Sequence, residues 1–489
     1  MVELVKKKLT KIVGIKKEQF NDFIKQKEIS VVKSRLIPMY KLGDEMALTS
    51  VLLSSLRLVK EFRQQVFANA KMSRGGKAYF YTEVSFAEFP ESRVDGLILV
   101  VKSGVIKDAA ILEVKNGRDK LDQKQLERYQ QIARKYSIPN FITISNEFVT
   151  EPSQSPLPLK SYKTIDMYHF SWSYLLTLAH VLLFKNDTNI GDEDQIEIMK
   201  EVVHYFESDK AGVLGHNRMS SEWGQVVDKV NKGGSLKASD QFVYQAVRSW
   251  QQQERDMALV LSRAIGFVVE CGHSKYKGDL AQRLDDDCKA LVQAHEIDSL
   301  FRVKGAASDI GAKLLFGKRA FELEVTLKVP TEKTTKGQIG WLKRQAETCH
   351  KKTPLLFDKL SKSIFVEPRV KASRSYERVP LGKFETISGL VAGKELKEFR
   401  LVYVLDFGAR FSSPTKFVEL SQAMLKDFYS GIVQHLVRWE PRAPKMVRPQ
   451  GALDEETFID NVNSGNTYLD ISKVVVSDSE EGGSFFVNK

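Results

Sequence analysis

The 489-residue chain is predicted to be an α/β protein: a mixed β-sheet flanked by helices, then a helical region, then a second α/β region. Three observations carry this expectation. Apolar segments of strand length, joined by Gly-containing turns, stand at residues 78–114 and again at 310–328. Each set leads into a segment whose apolar residues recur at helical spacing. The length also exceeds one hydrophobic core, and ~100 to 200 residues per domain gives two to four domains.

Residues 1–75 read as a basic, mainly helical segment. Its clearest element is "GDEMALTSVLLSSLRLVKEFRQQVF", with Leu48, Leu52 and Leu56 at helical spacing, and "SRGGK" ends it. Residues 76–165 hold the strands "AYFYTEVSF", "RVDGLILVV" and "AAILEVK", the last two joined by the turn "KSGVIKD". The helix "DKLDQKQLERYQQIARKY" follows, and "SIPN" leads into the strand "FITIS". After the proline-rich loop "EPSQSPLPLK", residues 166–298 read as mainly helical. Residues 299–445 repeat the strand pattern in "IGAKLLF" and "FELEVTL", then a helix in "GQIGWLKRQAETCHK", a strand in "FRLVYVLDF" and a closing amphipathic helix. From Leu453, within the 446–489 tail, acidic residues face only Lys473 and Lys489. Such a tail is a solvated appendage, or in a functional reading a competitor for a basic surface.

Composition narrows the function. The longest apolar run, Tyr174 to Phe184, contains Thr177 and His180 and falls short of the ~20 residues that span a bilayer. With no signal-like N-terminus, a cytoplasmic protein without membrane contact is expected. The three cysteines form no CxxC pair, which argues against a disulfide framework or zinc knuckle and leaves oxygen ligands for any metal. A net charge of +12 favours an anionic partner, most commonly nucleic acid.

The stretch "AAILEVKNG" carries the chemistry. Residues two apart on a strand share a face, so Ile111, Glu113 and Lys115 line one side and Ala110, Leu112 and Val114 the other. Antiparallel pairing with the preceding strand, across a turn near Gly104, sets Asp95 roughly opposite Lys115 and beside Glu113. Two carboxylates and one amine suit a hard Mg²⁺ ion, or Mn²⁺, that also binds phosphate. Downstream, Gln125 and Tyr129 are four apart and share a helix face. Lys120, Lys124, Arg128 and Lys135 form a basic stripe suited to a phosphate backbone.

In that order, "RVDG", "LEVK" and "QLERY" resemble the PD-(D/E)XK nuclease superfamily, whose core is the restriction-endonuclease-like fold, and within it the RecB-like branch with a Q-x-x-x-Y helix. The resemblance covers residues 78–145, and Arg93-Val94 stand where the superfamily's name has Pro. It implies that Asp95 and Glu113 bind metal, that Lys115 assists the attacking water, and that Gln125 and Tyr129 help hold the site. An upstream carboxylate would complete the metal ligands; Glu83 is the first choice, with Glu45 and Glu88 behind it. The block "SDIGAKLLFGKRAFELEVTLK" aligns with the same region, placing Asp309 on Asp95, Glu324 on Glu113, Thr326 on Lys115 and Gln338 near Gln125. With the lysine missing, it reads as a degenerate second nuclease-like copy.

The resemblance thus implies a Mg²⁺-dependent nuclease acting on DNA. By analogy of domain composition it belongs to a bacterial restriction or antiphage defence system, as a homodimer or with a partner subunit. The alternatives are a non-catalytic nucleic-acid-binding or assembly protein built on nuclease-like folds, and an RNA-cleaving enzyme of the same fold. "KASRSYERVP" at 371–380 adds Arg374, Tyr376 and Arg378 as a lesser phosphate-contact candidate.

Overall fold

A computed structural model describes residues 8–33, 44–117, 119–149, 151–184, 190–213, 215–276, 279–371, 373 and 376–440. Residues up to Trp439 form one unit, and the acidic tail lies outside the described residues. Among those described, thirteen α-helices surround two sheets, and no helix is long and apolar enough to cross a membrane.

The first sheet runs in chain order from β1 to β6: Ile29–Lys33, Lys77–Phe86, Arg93–Lys102, Val105–Val114, Asn140–Ser145 and Asp166–Ser171. Strands β1 to β4 are antiparallel, while β4, β5 and β6 are parallel. The β3–β4 turn is two residues long, with Ser103 and Gly104 at φ 53° and 75°. Positive φ at both positions matches the twist of a tight hairpin and suits glycine at the second. Every residue of β5 is buried, as a parallel strand covered on both faces must be.

Side-chain alternation divides the helices between the faces. Ile98, Val100, Ala110, Leu112 and Val114 point into a core with α2 (Glu45–Leu58), α3 (Lys60–Asn69), α5 (Trp172–Phe184) and α6 (Glu193–Glu207). Leu97, Leu99, Ala109 and Ile111 face α4 (Gln123–Lys135) and the N-terminal segment with α1 (Lys17–Lys25). Gly96 lets α2 approach closely: a Cβ there would stand 3.0 Å from Leu53 Cδ1.

The second sheet, order β12-β11-β13-β10-β9-β8-β7, is antiparallel throughout. Its strands are Val269–Cys271 (β7), Glu296–Val303 (β8), Ile310–Leu315 (β9), Ala320–Lys328 (β10), Ile364–Val370 (β11), Val379–Pro380 (β12) and Leu396–Asp406 (β13). Its core takes in α7 (Glu222–Asn231), α8 (Gln241–Ile265), α9 (Leu280–Ala294), α10 (Thr335–Lys352), α11 (Pro354–Ser361), α12 (Phe384–Leu390) and α13 (Pro414–Gly431). Helices α5 and α8 join the two bodies. Asp256 of α8 accepts from Ser173 Oγ at 3.1 Å, and Arg263 donates to Thr177 Oγ1 at 2.8 Å.

Several expectations change. The long first helix is two, because Val59 is extended at φ −101° and ψ 103° between α2 and α3. The region expected to be helical from residue 166 begins with strand β6 and contains β7. "DMYHFS" alternates only weakly, and the apolar helix after it hides the strand pattern. Helices up to α6 pack on the first sheet and those from α7 on the second, so the cores divide between Ala211 and Met219.

Candidate active site

The β3–β4 ladder carries the pair Gly96↔Leu112, so Asp95 lies across from Glu113 rather than Lys115. The expected register is displaced because the turn is only two residues long, which alone would set Asp95 across from Leu112; the bulge at Val100/Val101 moves it one residue on, to Glu113. Asp95 is held by its neighbour: Val114 N donates to Asp95 Oδ2 at 2.7 Å. Glu113 is completely buried, and neither of its oxygens accepts a hydrogen bond of good geometry; Lys115 Nζ approaches Oε1 at 2.8 Å as an ion pair.

Lys115 is shared. Its Nζ also donates to Glu45 Oε1 at 2.8 Å, with Oε2 at 3.4 Å. Glu45 opens α2, just after Asp44, whose side chain caps the helix by accepting from Met46 N at 2.9 Å. That cap fixes the first turn, and the close packing of α2 over Gly96 brings it to the strand ends. Lys115 is fastened through its backbone as well. Its N–H donates to Ile144 O at 2.8 Å, and Trp172 Nε1, at the start of α5, donates to Lys115 O at 2.8 Å.

Helix α4 supports β3 from the other face. Asp122 caps it by accepting from Gln125 N at 2.8 Å. Gln125 Nε2 donates to Tyr129 Oη at 3.0 Å, and Tyr129 Oη donates to Arg93 O at 2.6 Å. The Gln–Tyr pair therefore clamps the chain two residues before Asp95, with Tyr129 in electrostatic reach of Asp95 and Glu113.

Glu83 sits in β2 with φ 52°, a left-handed conformation that a non-glycine strand residue rarely adopts, and its carboxylate pairs with Arg93 Nε at 2.8 Å. It lies within electrostatic reach of Asp95, Asp44 and Glu45. Of the three upstream candidates, Glu45 is the one that contacts Lys115. Glu88 is removed from the group: it pairs with Lys8 and, at 3.0 Å, with Lys135.

Charge states follow from burial and neighbours. Burial, then the adjacent Glu113, pushes Asp95 well above its ordinary value, against the Val114 N–H. Burial likewise raises Glu113, with Lys115 opposing. Burial pulls Lys115 down, but Glu113 and Glu45 outweigh it, and the net shift is upward, so it stays an ammonium. Burial, then Glu113 and Asp95, raise Tyr129, which remains a neutral phenol.

Three carboxylates, Glu45, Asp95 and Glu113, thus share one ammonium, while Glu83 has its own arginine. Among the described residues no three or more His, Cys, Asp or Glu side chains already stand at metal-ligating separation. The oxygen-only donor set and the unsatisfied, buried Glu113 carboxylate nonetheless fit a hard divalent cation.

Lys120, Lys124 and Arg128 are exposed at and beyond the N-terminal end of α4, whereas Lys135 is tied to Glu88. In the second body Asp309 is exposed, and Glu324 pairs with Arg400 Nη1 at 2.8 Å. Thr326 N donates to Ser308 Oγ at 3.3 Å, and buried Gln338 donates to Pro330 O at 3.0 Å. Strand β13 stands beside β10, so no parallel strand flanks Glu324 as β5 flanks Glu113. The sheet therefore departs from a copy of the first. The 371–380 segment offers no free cation among its described residues: Arg378 grips Glu322 at 2.8 and 3.0 Å and Glu367 at 2.9 Å. Arg369 stacks over Tyr376, and Arg374 lies outside the described residues.

Comparison with protein-family models, with curated proteins and with solved structures found no match to this chain.

Proposed function

We propose that the chain is a metal-dependent nuclease that hydrolyses phosphodiester bonds in DNA. The observation that carries this reading is the charge imbalance at the ends of β3 and β4, where Glu45, Asp95 and Glu113 share the single ammonium of Lys115. Buried neighbouring acids, crowded enough to hold on to protons, are retained at a cost in stability, and a divalent cation would balance them as carboxylates. The order of elements, a helix, three antiparallel strands, a crossover helix and a parallel strand, also supports the resemblance on which the reading began.

Asp95 and Glu113 would hold Mg²⁺ or Mn²⁺, with Glu45 as a further oxygen donor. The ion supplies an acidified water and charge stabilisation on the phosphate when bound. The chain's own residues do the rest. Lys115, held as an ammonium, donates to the attacking water and offsets negative charge growing on the phosphate, and does not act as the base. Tyr129 and Gln125 keep β3, and so Asp95, in register, and Lys120, Lys124 and Arg128 track the backbone.

Calorimetric titration with Mn²⁺ and Mg²⁺ tests the reading. One divalent site in the wild type, lost in Asp95→Asn, is expected; absence of binding favours the non-catalytic scaffold, for which the self-neutralised Glu and Arg network of the second body speaks. Matched DNA and RNA substrates separate the two nuclease readings. The setting in a bacterial restriction or antiphage system, as a homodimer or beside a partner subunit, is proposed on domain composition alone.

A further inference from the structure

We infer that a cleft between residues 148–149 and 154–159 on one side and helix α8 on the other takes an unpaired nucleobase of the strand being cut, and that this cleft sets sequence preference. The inference rests on the nuclease reading. The cleft has a volume of about 620 Å³, within the ~300 to 1,000 Å³ of ordinary ligand sites.

Its wall on α8 presents Gln241, Tyr244, Gln245, Arg248 and Gln252, spaced by three and four residues and so on one helix face. Two of these hold the opposite wall: Arg248 Nη2 donates to Pro156 O at 2.6 Å and Gln252 Nε2 to Phe148 O at 3.4 Å. The side chains of Gln241, Tyr244 and Gln245 bond to no protein group among the described residues. Tyr244 is 38 % exposed.

This chemistry selects a class of ligand. No carboxylate lines the cleft, which argues against a cation, and its one arginine is engaged, which argues against a bare phosphate. Free amides match the paired donor and acceptor edges of a base, and an open tyrosine ring gives it a stacking face.

The placement fits the candidate active site. Lys115 N bonds Ile144 on β5, and Phe148, on the cleft wall, is four residues further along. Four residues of chain reach at most ~13 Å, so the cleft begins within about four stacked nucleotides of that anchor. Lys120 and Arg248 are both within electrostatic reach of Glu147, the residue before Phe148, which sets the basic start of α4 near the cleft.

The test uses the full chain in EDTA, so that binding is read apart from cleavage. Single-stranded oligonucleotides carrying 5-iodouracil at successive positions are cross-linked by light, and affinities are measured for wild type, Tyr244→Phe, Tyr244→Ala and Gln245→Ala. We expect a cross-link at Tyr244 from one position, affinity kept in Tyr244→Phe, and a loss of about 5- to 100-fold in Tyr244→Ala. Gln245→Ala should flatten base preference at that position. Unchanged affinity in Tyr244→Ala, cross-links elsewhere only, or a proline-rich peptide occupying the cleft while DNA does not would overturn the inference. Binding through Tyr244 without cleavage in any metal would sink the nuclease reading and leave the cleft standing.

Discussion

Replacing Asp95 with Asn should stabilise the protein when no divalent metal is present. Asp95 and Glu113 occupy facing positions on paired strands, which sets such groups about 5 Å apart. At an effective dielectric of ~20, two like charges at that distance repel by about 3 kcal/mol. Asn still accepts from Val114 N, but the weaker bond and lost attraction to Lys115 take back about 1 to 2 kcal/mol. The net expectation is about 1 to 2 kcal/mol of stabilisation, or about 2 to 8 °C for a body of 150 to 250 residues. The pH dependence follows from the raised folded values of both acids. Their ordinary values are 3.8 and 4.5, so wild-type stability is fullest below those and falls as pH rises towards the folded values. Thermal melts of both proteins in EDTA at pH 7.5 and pH 4 read this directly: the Asn variant melts higher at pH 7.5, and the gap closes at pH 4. In Mg²⁺ the order reverses, because the wild type gains binding energy that the variant lacks. A variant less stable than wild type in EDTA at pH 7.5 would refute the picture of two crowded acids.

Lys115→Met leaves Glu113 buried without its partner, so urea melts should show a loss of about 3 kcal/mol at pH 7.5, less at pH 5 as the carboxylates protonate. Glu45→Gln should slow cleavage by at least about tenfold through loss of its contact with Lys115, while Glu88→Gln, paired at the surface with Lys8 and Lys135, should leave the rate unchanged. Reversing both Lys124 and Arg128 to Glu should weaken binding to all sequences alike and lower the salt slope by roughly two or more, measured by fluorescence anisotropy. Glu324→Gln should not alter cleavage of plasmid DNA, because that carboxylate answers Arg400 and not the nuclease site.

Local period was the readable part of the sequence. Apolar runs of strand length bounded by turn residues marked β2 to β5, helical spacing marked α4, and shared strand faces brought Glu113 and Lys115 together. The register of Asp95 was off by two because Val105 to Asp108, read as part of the turn, continue strand β4, and hydrophobic pattern does not mark so tight a turn. Glu45 stood behind Glu83 in the sequence reading because its position depends on α2 docking over Gly96, a contact 70 residues from Lys115. Glu83, the first choice, has a left-handed backbone and pairs with Arg93 instead. Trp172 went unnoticed; a tryptophan directly after a strand was the available sign. The second body looked like a repeat because hairpin and helix recur there, while the insertion of β13 beside β10 is a long-range pairing that no local pattern encodes.

The most direct test of the account is incubation of supercoiled and linear DNA with the wild type and with the Glu113→Ala, Lys115→Ala double variant, in Mg²⁺, Mn²⁺ or EDTA. The account predicts cleavage by the wild type in either metal, none in EDTA and none by the variant. Cleavage that survives in the variant, or a wild type that binds DNA yet cuts none in any metal, would contradict it.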